Sequence, residues 1–105
     1  MAIHEHYKLV RDKIPEIIRA SGKTCHTVTL DDEDYARRLR EKLQEETNEF
    51  LESHDVEELA DIMEVVYALA VQKGYTLQQL EDIRARKAAE RGGFADRVFL
   101  TLVND

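Results

Sequence analysis

Two long stretches with helical apolar periodicity, separated by a three-residue break, constrain this chain more than anything else in it. Positions 36, 39, 43, 46 and 50 recur in a 3-4-3-4 rhythm, the spacing of one face of an α-helix. A second seam runs through Leu59, Ile62, Val66 and Leu69, widened by Met63, Tyr67 and Ala70. Between the two lie Ser53, His54 and Asp55, a connection short enough to fold the helices into an antiparallel hairpin. Asp31 and Asp32 are cap candidates for the first helix, which the pattern predicts to run to about Leu51 or Glu52. Gly74 offers a left-handed stop for the second. A third helix is predicted from Thr76, with Gln79 at capping-box spacing, to Gly92 and Gly93.

The two ends are less regular. Pro15 suits the first turn of a short helix through Glu16, Ile17, Ile18 and Arg19, ended by Gly22. Residues 24–30 alternate, with His26, Val28 and Leu30 on one side, and residues 97–103 are rich in Val, Phe, Leu and Thr. These two runs are expected to pair as a small two-stranded β element. The expected fold class is all-α: an antiparallel helical bundle with that β element, in a single domain over residues 1–105. The second long helix is apolar around most of its circumference and asks for neighbours on several sides. A chain of 105 residues has few helices to supply them, so completion of the bundle by a homodimer or higher homo-oligomer is expected.

Composition narrows the partners. The 15 basic and 22 acidic residues give a formal charge of -7, which argues against duplex nucleic acid. A phosphorylated substrate then needs a metal ion to bridge the negative charges. Cys25 is the single cysteine, so no intramolecular disulfide is possible and a reducing compartment fits. No stretch approaches the ~20 apolar residues of a membrane span, and the start has no apolar leader core. A soluble, cytoplasmic protein with no membrane partner is expected.

The first long helix carries an anomaly at position 46. Glu46 occupies the apolar stripe, where an unpaired carboxylate is costly unless it is paired or binds metal. Glu49 follows one turn on, and the next helix carries Glu58 and Asp61 at the same spacing. In an antiparallel hairpin, level residues have numbers of constant sum; a turn centred between Ser53 and His54 sets Glu49 level with Glu58 and Glu46 level with Asp61. At ~1.5 Å per residue these rungs stand roughly 4.5 Å apart, a spacing that suits four carboxylates around one or two small cations. Oxygen ligands without Cys or His favour Mg²⁺, with Mn²⁺ as a possible substitute. The plainer reading of the same residues is structural. Glu58 can complete a capping box with Asp55, and Glu45, Glu49 and Glu52 can pair with Lys42 or face water.

The runs EETNE at 45–49 and EELAD at 57–61 resemble the Glu-x-x-Glu and Glu-x-x-Asp motifs of MazG-like nucleotide pyrophosphohydrolases, an all-α family that includes phosphoribosyl-ATP pyrophosphohydrolase. KLVRDKIPEII near the start and RGGFADRVFL near the end also resemble segments of a small, single-domain branch of that family. One departure is the connection of eight residues between Glu49 and Glu58, shorter than in many relatives. The resemblance implies that Glu46, Glu49, Glu58 and Asp61 hold Mg²⁺, with Glu45 as an additional ligand or the base that orients water. The implied reaction is hydrolysis of the α-β phosphoanhydride of a nucleoside triphosphate to a nucleoside monophosphate and pyrophosphate, as in nucleotide-pool house-cleaning. Phosphoribosyl-ATP hydrolysis in histidine biosynthesis and a non-catalytic helical interaction or regulatory module are the alternatives.

Further basic residues stand outside the acidic motifs. Arg84, Arg86, Lys87 and Arg91 cluster near the end of the last helix, where they can bind substrate phosphates or relieve the helix dipole. The resemblance favours Lys87 and Arg91 for substrate binding, with Arg97 as a third. Lys8, Arg11 and Lys13 form a second group whose role the sequence leaves open between phosphate contact, subunit contact and solubility. Glu64, one turn beyond Asp61, is a lesser candidate for the acidic site. Tyr67 reads as core, and His4, His6, His26 and His54 show no ligand spacing.

Overall fold

The computed structural model describes residues 2–4 and 6–105. The chain forms four α-helices: α1 (Ile14–Ala20), α2 (Asp32–Ser53), α3 (Val56–Gln72) and α4 (Leu77–Arg91). Their boundaries reflect local chemistry. The Asp31 side chain accepts from the Asp34 N–H at 2.9 Å and caps α2. Thr76 and Gln79 close a reciprocal capping box on α4, each satisfying a backbone donor that the helix itself leaves free. Gly74, with φ of +90°, carries the chain out of α3 while the Tyr75 N–H reaches back to the Ala70 carbonyl at 2.9 Å. Only glycine takes this left-handed conformation without steric cost.

Helices α2 and α3 form the expected hairpin, and its turn is tighter than the break in the pattern. His54 adopts φ of 61°, a left-handed conformation for which His, Asn and Asp are the usual non-glycine residues. Its N–H donates to the Phe50 carbonyl at 2.8 Å, and its ring lies tilted over Phe50 with centroids 6.4 Å apart. The Asp55 N–H donates to Ser53 Oγ, and α3 begins at the next residue.

The α2 stripe faces α3 as its rhythm implied: Leu39 and Glu46 are buried, with Ala36, Leu43 and Phe50 half-buried around them. On α3 the inward line differs from the expected seam. Val65 and Ala70 are buried, Glu58, Asp61, Ile62 and Leu69 are half-buried, and Leu59 and Met63 are exposed. An almost wholly apolar helix has no phase of its own to read, so its orientation is set by α2. One result is that Glu58 and Asp61 continue the inward 58-61-65-69 line rather than bordering the seam.

Helix α4 leans on α3 and leaves a cleft of about 540 Å³ between Met63, Val66 and Tyr67 of α3 and Leu77 and Leu80 of α4. The expected β element is absent: residues 24–30 and 97–103 are irregular, and among the described residues there is no strand. Alternation specifies a strand only where a ladder partner is at hand, and no backbone hydrogen bond joins these two runs among the described residues. Val28, Val98, Phe99, Leu100, Leu102 and Val103 stay exposed.

The molecule measures 66 × 32 × 24 Å with a radius of gyration of 18.6 Å, whereas a compact chain of this size has about 13 Å. Among the described residues no helix is long and apolar enough to cross a membrane.

Candidate metal centre

Glu46 is the one buried charged residue among those described, at 7% exposure, and the α2 stripe puts it there. One turn earlier on the same helix, Lys42 Nζ lies 3.3 Å from Glu46 Oε1 and 3.4 Å from Glu45 Oε2. Glu46 Oε2 meets no hydrogen-bond partner among the described residues, and the same holds for Glu58 Oε2 across the hairpin. Buried polar atoms are nearly always paired, so two orphaned carboxylate oxygens on facing helices call for a ligand.

Oxygens of Glu46, Glu58 and Asp61 lie within 4.8 Å of one another, and so do oxygens of Glu45, Glu46 and Glu49. Glu46 belongs to both groups. Glu49, exposed at the rim, is close enough to share hydrogen bonds with both Glu46 and Glu58. The four acids therefore converge, with α2 supplying Glu46 and Glu49 and α3 supplying Glu58 and Asp61. The capping-box alternative for Glu58 does not occur, since the Asp55 side chain makes no cap hydrogen bond. The alternative for Glu45 does occur, through Lys42.

This crowding shifts the protonation of two members. Burial raises the Glu46 carboxyl above its ordinary value, Lys42 partly offsets that, and the neighbouring Glu49 raises it further. Glu58 is also raised, first by desolvation; a hydrogen bond from Glu49 works against this, and the charges of Asp61, Glu46 and Asp55 add to it. Both shifts express a deficit of positive charge. A hard cation would remove it, and an all-oxygen donor set with two free buried lone pairs fits Mg²⁺ or Mn²⁺.

No known family model matches the chain. No solved structure matches it either. A protein of Mycolicibacterium smegmatis described as uncharacterized is 55% identical over 42 residues, which are 40% of this chain and 43% of that protein. The matched segment thus covers less than half of either chain, and the case for function rests on the geometry of the site.

The other expected site residues lie elsewhere. Arg91 and Arg97 line a second cleft, about 590 Å³, together with Gly92, Gly93, Phe94 and Phe99. None of the four acids lines it. Lys87 is exposed on α4 and makes no ion pair among the described residues.

Two further residues at the acidic site carry little signal in the sequence. Lys42 reads there as a surface partner, although its i,i+4 spacing to the buried Glu46 is a clue to a deeper role. Arg11 Nη2 donates to Asp61 Oδ1 at 2.6 Å and Nη1 lies 3.8 Å from Glu64 Oε1. No local spacing signals a contact across fifty residues. Its one trace in the sequence is the basic group Lys8, Arg11 and Lys13.

Proposed function

We propose that the chain is a Mg²⁺-dependent nucleotide pyrophosphohydrolase of the MazG-like kind, cleaving the α-β bond of a nucleoside triphosphate in the cytoplasm. The observation that carries this reading is the convergence of Glu46, Glu58 and Asp61 within 4.8 Å, with one oxygen each of Glu46 and Glu58 buried and unpartnered. Glu46, Glu49, Glu58 and Asp61 would hold Mg²⁺, or Mn²⁺ in its place. The bound ion supplies charge neutralisation for phosphate oxygens and acidifies water.

The remaining chemistry belongs to side chains. Glu45, half-buried and held by Lys42, accepts the proton of the attacking water. The water oxygen bonds to the α-phosphorus as the bond from that phosphorus to the bridging oxygen breaks, and pyrophosphate leaves with the electron pair. Arg91 and Arg97, which share a cleft, and Lys87 bind the phosphate groups.

The chain works as a homodimer or higher homo-oligomer in this proposal. Support comes from the exposed Leu59 and Met63 on α3, the exposed apolar run at 98–103 and the extended shape. A second copy covering them would give α3 the neighbours its composition asks for.

The test is Mg²⁺-dependent release of pyrophosphate from a panel of canonical and modified nucleoside triphosphates and phosphoribosyl-ATP. Asp61→Asn and Glu46→Gln are expected to lower turnover by more than about 100-fold, beyond the usual effect of losing a residue that merely orients a metal ligand, with the helical circular dichroism retained. Preference for phosphoribosyl-ATP would move the assignment to histidine biosynthesis. Absence of release from every substrate would leave a non-catalytic module.

A further inference from the structure

Arg11 lies in the irregular segment before α1 and reaches across to α3, where its two terminal nitrogens meet two acids one helical turn apart. The guanidinium remains half-exposed, and Asp61 is more open to solvent than Glu46. Arg11 therefore sits on the solvent side of the acidic cluster, opposite the buried Glu46. Its positive charge meets part of the deficit that a cation would otherwise meet. A carboxylate oxygen held at 2.6 Å by a guanidinium has less capacity to ligate a metal. The same planar fork of donors also matches phosphate in a bidentate manner.

Resting on the metal-dependent reading above, we propose that Arg11 is an exchangeable phosphate-binding residue. It holds Asp61 and Glu64 while the site lacks a cation, and it turns to a phosphate of the substrate once the metal takes Asp61. Nothing in its position opposes the exchange, since no helix confines its backbone and its side chain faces solvent. The consequence is coupling: metal releases the group that recognises phosphate, and phosphate in turn stabilises the metal-bound arrangement. Such coupling is reciprocal by thermodynamic necessity.

The experiment uses the full chain and two probes, Mn²⁺ alone, followed by paramagnetic resonance of the free ion, and the preformed Mn²⁺-pyrophosphate complex, followed by calorimetry. Relative to the natural protein, Arg11→Ala is expected to bind Mn²⁺ alone about 5-fold tighter and the complex about 5-fold weaker, the lower range of coupling between linked ligands. Arg11→Lys, which keeps the charge and loses the fork, should fall between the two for the complex. A structural role for Arg11 would instead weaken both or change neither, and either result overturns the proposal. If Arg11→Ala fails to fold, Arg11→Lys decides: it must weaken the complex without weakening Mn²⁺ alone, and any other outcome overturns the exchange. Failure of the natural protein to bind Mn²⁺ removes the metal reading first and the exchange with it. Binding that is indifferent to Arg11 removes the exchange alone.

Discussion

Lys42 holds Glu46 through one carboxylate oxygen, at 3.3 Å, and leaves the other buried without a partner. The arrangement lies on one face of α2, so a single helix fixes both the compensation and the deficit. Burial outweighs Lys42, and the net effect on the Glu46 carboxyl is a rise.

That rise makes stability depend on pH in a defined direction. Above the ordinary value of 4.5, the unfolded chain releases the proton while folded Glu46 still retains it. The native state then binds more protons, and the contribution of Glu46 to stability falls as pH rises from the unfolded value through the folded one. Glu58 acts in the same direction. Without metal, Glu46→Gln is expected to be more stable than the natural protein at pH 7 by about 1 kcal/mol, the cost of an unpaired buried polar group. The advantage should shrink as pH is lowered towards 4.5. Denaturant titrations across this range check it; a variant less stable at neutral pH would contradict the account of burial.

Metal should reverse the deficit. At a Mg²⁺ concentration of 100 times its dissociation constant the folded state gains about 2.7 kcal/mol, and for a domain of this size the melting temperature rises by roughly 10 °C or more. Glu46→Gln should show little of that rise, and chelation with EDTA should abolish it. A melting temperature indifferent to Mg²⁺ and Mn²⁺ in the natural protein would count against the centre.

Lys87 gives the converse signature. It is exposed and makes no ion pair among the described residues, so Lys87→Ala should change stability by no more than about 0.5 kcal/mol. If Lys87 binds substrate phosphate, KM should rise about 10-fold, equivalent to about 1.4 kcal/mol of lost binding. Unchanged steady-state kinetics would leave Lys87 as a cation near the end of its helix.

Assembly is open to direct measurement. Light scattering at micromolar concentration is expected to give at least twice the 12.2 kDa of one chain. A stable monomer under those conditions would mean that the exposed α3 face and the 98–103 run serve another purpose.

The sequence made the α2–α3 hairpin legible because both its signals are local: apolar period along each helix and a short break between them. The same arithmetic brought Glu46 and Glu49 towards Glu58 and Asp61. It also placed Glu46 in the interior, which a motif alone would not have done. Three things escaped it. The phase of α3 was unreadable because apolar residues surround that helix, so the choice of Val65 over Leu59 and Met63 as inward residues depends on α2. The pairing of 24–30 with 97–103 was inferred from alternation, which records a disposition to pair and not the presence of a partner. Arg11 lies fifty positions from Asp61, beyond the reach of any helical or strand spacing.

The left-handed turn at His54 has a consequence for how this chain can vary. Each residue added to a helix or its immediate connection rotates the downstream chain by about 100° and advances it by about 1.5 Å. A single insertion after His54 would preserve both helices, their caps and nearly all the composition, yet swing Glu58 and Asp61 more than a quarter turn away from Glu46. The side chains at 54 and 55 are open to exchange among residues that tolerate the turn, but their number is not. In this hairpin the count of residues in the bend is a part of the site, as binding as the identity of any carboxylate.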